Sequence, residues 1–172
     1  MKKNRCIVMV LVFVVLALSV LPSASQADWK KYEGAWFDIE YPGDFSVRPS
    51  MPSLSREGFD SAFFLAPDSS VEFYVFSPQW SGEPEDFSIN AASETIVSMS
   101  KETLDDGEVS HFTVRAKDKR YWRSMEDTVV RVNGEEIGVR YAFGIKYTDE
   151  KSYQKYRPQY LKFKSSIRRY AD

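Results

Sequence analysis

From Trp36 onward apolar and polar residues alternate: Phe37, Ile39 and Tyr41 fall on one side, Asp38 and Glu40 on the other, the period of a half-buried strand. Pro42-Gly43-Asp44 breaks this run, Phe45 to Val47 resumes it, and Pro49 to Gly58 is too rich in Pro and Ser for regular structure. Ala62 to Ala66 and Val71 to Phe76, joined by Pro67-Asp68-Ser69-Ser70, read as a hairpin. Ser77 to Asp86 carries prolines, a glycine and acids and reads as a surface loop around Trp80. Beyond it Ile89, Ala92, Ile96, Met99 and Thr103 recur at helical spacing, which predicts a helix capped by Ser88 or Asn90 and ended by Asp105-Asp106-Gly107.

The remaining third of the pattern is strand-rich. Glu108 to Ala116 and Tyr121 to Val132 read as strands, and Asn133-Gly134 is a strong hairpin signal because its tight turn needs positive φ at both central residues. Ile137, Val139, Tyr141, Phe143, Ile145 and Tyr147 then alternate with Gly138, Arg140, Ala142, Gly144 and Lys146, the clearest strand of the chain. Asp149 caps a last helix in which Tyr153, Tyr156, Tyr160 and Phe163 recur at helical spacing, with a break or kink expected at Pro158. Hairpins with one helix in the middle and one at the end predict an α+β architecture, an antiparallel sheet with helices packed on it.

The start of the chain changes the picture of where this domain works. Lys2, Lys3 and Arg5 precede an apolar run from Ile7 to Leu21, which Pro22 ends and Ser23 to Ala27 follow with small residues. This is the layout of a secretory signal peptide over residues 1–27, cleaved before Asp28. A helix over that run spans about 22 Å, short of the roughly 30 Å of a bilayer core, so no stable membrane span is expected after cleavage. Residues 28–172 then form a single domain, periplasmic or secreted, opening on a short polar lead from Asp28 to Ala35. Cys6 leaves with the signal, so neither a disulfide nor a cysteine metal site is expected. The signal holds three basic and no acidic residues, so cleavage moves the formal charge from -2 to -5, which argues against nucleic acid as a partner.

Candidate chemistry is sparse. His111 is the only histidine, it falls on the strand face opposite Phe112 and Val114, and no Gly-x-Ser-x-Gly elbow accompanies it. Asp105-Asp106-Gly107-Glu108 does not extend into a calcium loop, because Leu104 and Thr113 stand where ligands belong. No cofactor or metal is called for. The best candidates are Trp80, a residue type favoured at binding surfaces, and the acids beside it, Glu83, Glu85 and Asp86. These allow a binding surface or, as an alternative, a carboxylate-dependent hydrolase acting on glycans. The basic run Lys162, Lys164, Arg168 and Arg169 offers an anionic surface a place to dock, or simply solvates a helix tip.

The order of these elements resembles the PsbP-like domain. The opening Trp36-Phe37-Asp38-Ile39-Glu40-Tyr41-Pro42-Gly43-Asp44-Phe45 is similar to its aromatic-x-Ile-x-Tyr-Pro start, and Tyr153 to Pro158 through Ser166-Ile167 to its last helix. Gly58 to Phe64, Pro67-Asp68 and Val71 to Phe76 resemble the middle of small secreted bacterial proteins of that fold. The resemblance implies an α/β/α sandwich and a non-enzymatic accessory or binding role, as in the extrinsic photosystem II subunit or a eukaryotic binder of a nuclear-transport GTPase. It carries over no functional residue and leaves the partner open as a protein or a small ligand of the envelope. A structural envelope protein is the remaining alternative.

Overall fold

The computed structural model describes residues 28–79, 82–131 and 138–170. The expected signal peptide, Trp80 and the Asn133-Gly134 turn lie outside the described residues. Ten strands and one α-helix make up the rest: β1 Trp29–Glu33, β2 Phe37–Pro42, β3 Ser46–Pro49, β4 Ser61–Leu65, β5 Val71–Phe76, β6 Glu94–Leu104, β7 Gly107–Ala116, β8 Trp122–Arg131, β9 Gly138–Tyr147, α1 Glu150–Ser165 and β10 Arg168–Arg169. A seven-stranded antiparallel sheet runs β3-β4-β5-β9-β8-β7-β6, and a smaller sheet runs β1-β2-β10. No described helix is long and apolar enough to cross a membrane.

The expected α+β architecture, an α/β/α sandwich with helices on both faces, is overturned. The described residues are mostly antiparallel sheet with a single α-helix on one face, and the other face is covered among them by coil and one 3-10 turn at Glu85–Phe87. The segment expected as the middle helix is instead β6, which pairs with β7 along its whole length and turns into it through Asp105-Asp106. A register shift between Ile96 and Ser98 explains the false helical period. Ile96 stands opposite Val114 and Met99 opposite Phe112, so the extra residue puts two side chains three apart on one face. Gly107 closes this hairpin where no side chain fits, since a Cβ there would lie 2.0 Å from the Val129 carbonyl oxygen. The polar lead also folds, as β1, by pairing Trp29 with Pro42 and Tyr32 with Ile39.

The hairpin of β4 and β5, the strand β9 and the last helix are observed where expected, the helix without the break expected at Pro158. β4 and β5 form the hairpin, with Phe64 opposite Phe73, and β9 alternates through Phe143 and Ile145. Asp149 caps α1, its carboxylate accepting the Ser152 amide hydrogen bond at 2.8 Å, and the helix runs on through Pro158. The helix-side core gathers Phe64, Phe73, Val75, Phe143 and Ile145 from the large sheet, Phe37 and Ile39 from the small one, and Tyr156, Tyr160 and Phe163 from α1. Each fully buried Phe here contributes about 1.5–3 kcal/mol of transfer free energy. A second, smaller cluster lies on the opposite face, with Phe63, Tyr74, Phe76, Phe87, Met125 and Ala142.

Helix α1 packs on β2, β5 and β9. The sheet continues past it through β8, β7 and β6 with no second α-helix among the described residues, and this asymmetry positions the candidate site.

Candidate functional site

The acidic loop folds onto the face away from the helix. Phe87 leads it there, its ring stacked on Tyr74 with centroids 4.4 Å apart and planes within 8°. The sheet accommodates this ring only because Gly144 lies beneath, where a Cβ would come within 2.5 Å of it. Asp86 accepts hydrogen bonds from Ser61 Oγ and Tyr74 Oη, each at 2.6 Å. The Tyr74 hydroxyl is pushed far above its ordinary value, first by burial and then by the Asp86 charge. Glu83 forms an ion pair with Arg140, whose guanidinium also grips Asp127 at 2.9 and 2.7 Å and the Gly82 carbonyl. Glu85 is exposed. Of the expected site residues, Asp86 and Glu83 are thus fastened to the sheet, and Trp80 lies outside the described residues.

One buried ion pair clamps the loop in place. Arg123 donates to both Glu94 oxygens, at 2.9 and 2.6 Å, and to the carbonyls of Phe87 and Ser88. Both side chains are nearly sealed from solvent, at 7% and 3% exposed. Burial works to raise the Glu94 carboxyl, but hydrogen bonds from Arg123, the Asn90 amide and Tyr121 together hold it below its ordinary value. This clamp is invisible in sequence because its members are 29 residues apart.

On the helix side the uncovered sheet leaves a hollow of about 590 Å³. Its walls are Tyr141 and Phe143 from β9, Leu161 and Lys164 from α1, and Ile167 and Arg169 from the segment after it. Tyr156, Tyr160 and Phe163 form the buried stripe of α1, which turns Leu161, Lys164 and Ser165 to a neighbouring stripe at the rim. Lys164 reaches across to β8 and pairs with Glu126, closing one side. His111 lies beyond that bridge, its Nδ1 3.9 Å from Glu126, beside a smaller hollow of about 230 Å³.

The basic run of the sequence is therefore divided by the fold. Lys162 sits 3.9 Å from the centre of the Trp29 ring and Arg168 is exposed, whereas Lys164 and Arg169 line the hollow. Arg169 donates from Nε to Ser77 Oγ at 3.1 Å and lies 4.8 Å from the centre of the Tyr141 ring. Burial draws its guanidinium below the ordinary value, and Tyr141 opposes this. Among the described residues no group of three or more His, Cys, Asp or Glu is placed to hold a metal.

No family model and no curated protein matches the chain. Among solved structures it is similar to the solution structure of cyanobacterial PsbP (CyanoP) from Synechocystis sp. PCC 6803, at 12% identity and a TM-score of 0.44, over 90% of this chain and 99% of that one. The likeness agrees with the PsbP-like resemblance of the sequence and concerns the fold alone.

Proposed function

We propose that the chain is an exported, non-enzymatic binding domain whose ligand seats in the hollow beside α1. The observation that carries this reading is the hollow itself. At about 590 Å³ it falls among ordinary ligand pockets, roughly 300–1,000 Å³, and apolar walls with one or two fixed charges are their usual lining. The hydrolase alternative fares worse. A glycosidase needs two carboxylates with oxygens free towards the bond, whereas both Asp86 oxygens are taken by Ser61 and Tyr74 and Glu83 is held by Arg140. Export rests on the sequence of residues 1–27, which has the layout of a secretory signal with cleavage before Asp28.

The test is to express the full chain in its native host, isolate the exported protein, sequence its N-terminus and record its mass under native conditions. The expected result is a chain starting at Asp28 that carries a bound species, lost in Ser165→Trp, whose indole fills the hollow. A bound species retained undiminished by that variant overturns the site. Trp80→Ala, prepared in parallel, distinguishes the loop: loss of the species there instead would overturn the hollow as the site.

A further inference from the structure

The charges around the hollow do not cancel, and the residue point to a ligand class. Lys164 is neutralised by Glu126, which it meets across the rim. Arg169 has no such partner: no acidic side chain of the described residues lies within ion-pair distance of it, and its one side-chain hydrogen bond to them leaves from Nε to Ser77. Apart from the Tyr141 ring beside the guanidinium, no described residue therefore engages its two terminal nitrogens, the pair that meets a carboxylate side by side. The adjoining surface is apolar, made by Tyr141, Phe143, Leu161 and Ile167.

Resting on the binding role proposed above, we infer that the hollow takes a monocarboxylate with an apolar body, its carboxylate on Arg169 and its body against Tyr141, Phe143, Leu161 and Ile167. One negative charge matches the one uncompensated cation. A dianion such as a phosphate monoester would bring a second charge for which the hollow holds no further unpaired cation, since Lys164 is already paired with Glu126. A neutral apolar ligand would cover the half-buried guanidinium without giving its terminal nitrogens an acceptor, which weakens its binding relative to the acid. The carboxylate belongs to an aliphatic acid or to the end of an apolar polypeptide, which share this chemistry.

Titration calorimetry of the full chain separates these cases. The probes are decanoate, decanol, acetate, and a leucine-rich tetrapeptide as free acid and as amide. The expected result is that decanoate binds, decanol binds about tenfold more weakly or less, and acetate does not bind. Arg169→Gln brings decanoate to the level of decanol and leaves decanol unchanged, so decanol also reports that the variant is folded. Arg169→Lys keeps the charge without the planar pair and falls between. If the peptide acid binds, its amide does not, and the difference vanishes in Arg169→Gln, the carboxylate site stands with a polypeptide as its source. Equal affinity for decanoate and decanol, unmoved by Arg169→Gln, overturns the inference and leaves the hollow a binding site. Absence of binding by every probe, with a native adduct still lost in Ser165→Trp, overturns the ligand class alone. Absence of both overturns the binding role as well.

Discussion

The two halves of the large sheet are built on different terms. Strands β4, β5 and β9 are covered on both faces, by α1 and the small sheet on one side and by Phe87 and its loop on the other. Strands β6 and β7 carry little cover: Ile96, Val97 and Met99 are at least half exposed, and β6 buries only Glu94. The covered half is held by area removed from water. The bare half is held by strand pairing and by one buried ion pair. The hollow opens between the two, walled by Tyr141 and Phe143 of β9 and by Glu126 of β8, so the proposed ligand site sits at the margin of the covered half.

If that division is right, truncation in the covered half is the most damaging change. Phe163→Ala removes a fully buried ring that packs on Phe64, Phe73 and Phe143, and is expected to cost about 3–5 kcal/mol in urea unfolding. In the bare half the only comparable loss comes from Arg123→Met, about 3 kcal/mol, because Glu94 is left buried without its cation. Adding Glu94→Leu to that variant should recover most of it; no recovery would mean that the clamp acts through something other than the stranded charge. Gly144→Ala pushes a methyl against Phe87 and is expected to cost about 1–3 kcal/mol by overpacking. A near-neutral result would show that the loop yields easily and is not firmly seated.

Smaller effects sharpen the contrast. The folded Glu94 carboxyl is held below its ordinary value of 4.5, so its contribution is present above that pH and is lost as pH falls towards the folded value. Stability measured from pH 6 downwards should therefore decline less steeply in Glu94→Gln than in the wild type. Met99→Ser, at a position 63% exposed, should change stability by no more than about 0.5 kcal/mol, which thermal unfolding would check.

The same division decides what could be read from the sequence. Where burial enforces a period it was legible: β2, the β4–β5 hairpin, β9 and the buried stripe of α1 all appear as apolar patterns. β6 buries almost nothing, so no face is imposed on its sequence, and the shifted register after Ile96 completes the imitation of a helix. β1 has no alternation either, because Trp29 and Tyr32, three apart, both reach the core. As for the site, Lys164 and Arg169 stood out as basic residues, but only the packing of α1 and the return of β10 onto β2 turn them towards the hollow. Asp86 looked like chemistry and serves as a fastening, since Ser61 and Tyr74 come from strands the local sequence does not announce as its neighbours.

The irregularity at Val97 also bears on how this protein remains separate from its own copies. An eleven-residue outer strand with apolar side chains is a template on which further chains can add without limit, and a bulge is one of the devices that twists such an edge out of register with a flat newcomer. A chain lacking Val97 should fold, restore strict alternation from Glu94 to Leu104, and polymerise: light scattering and thioflavin fluorescence would rise in that deletion at concentrations where the wild type stays clear.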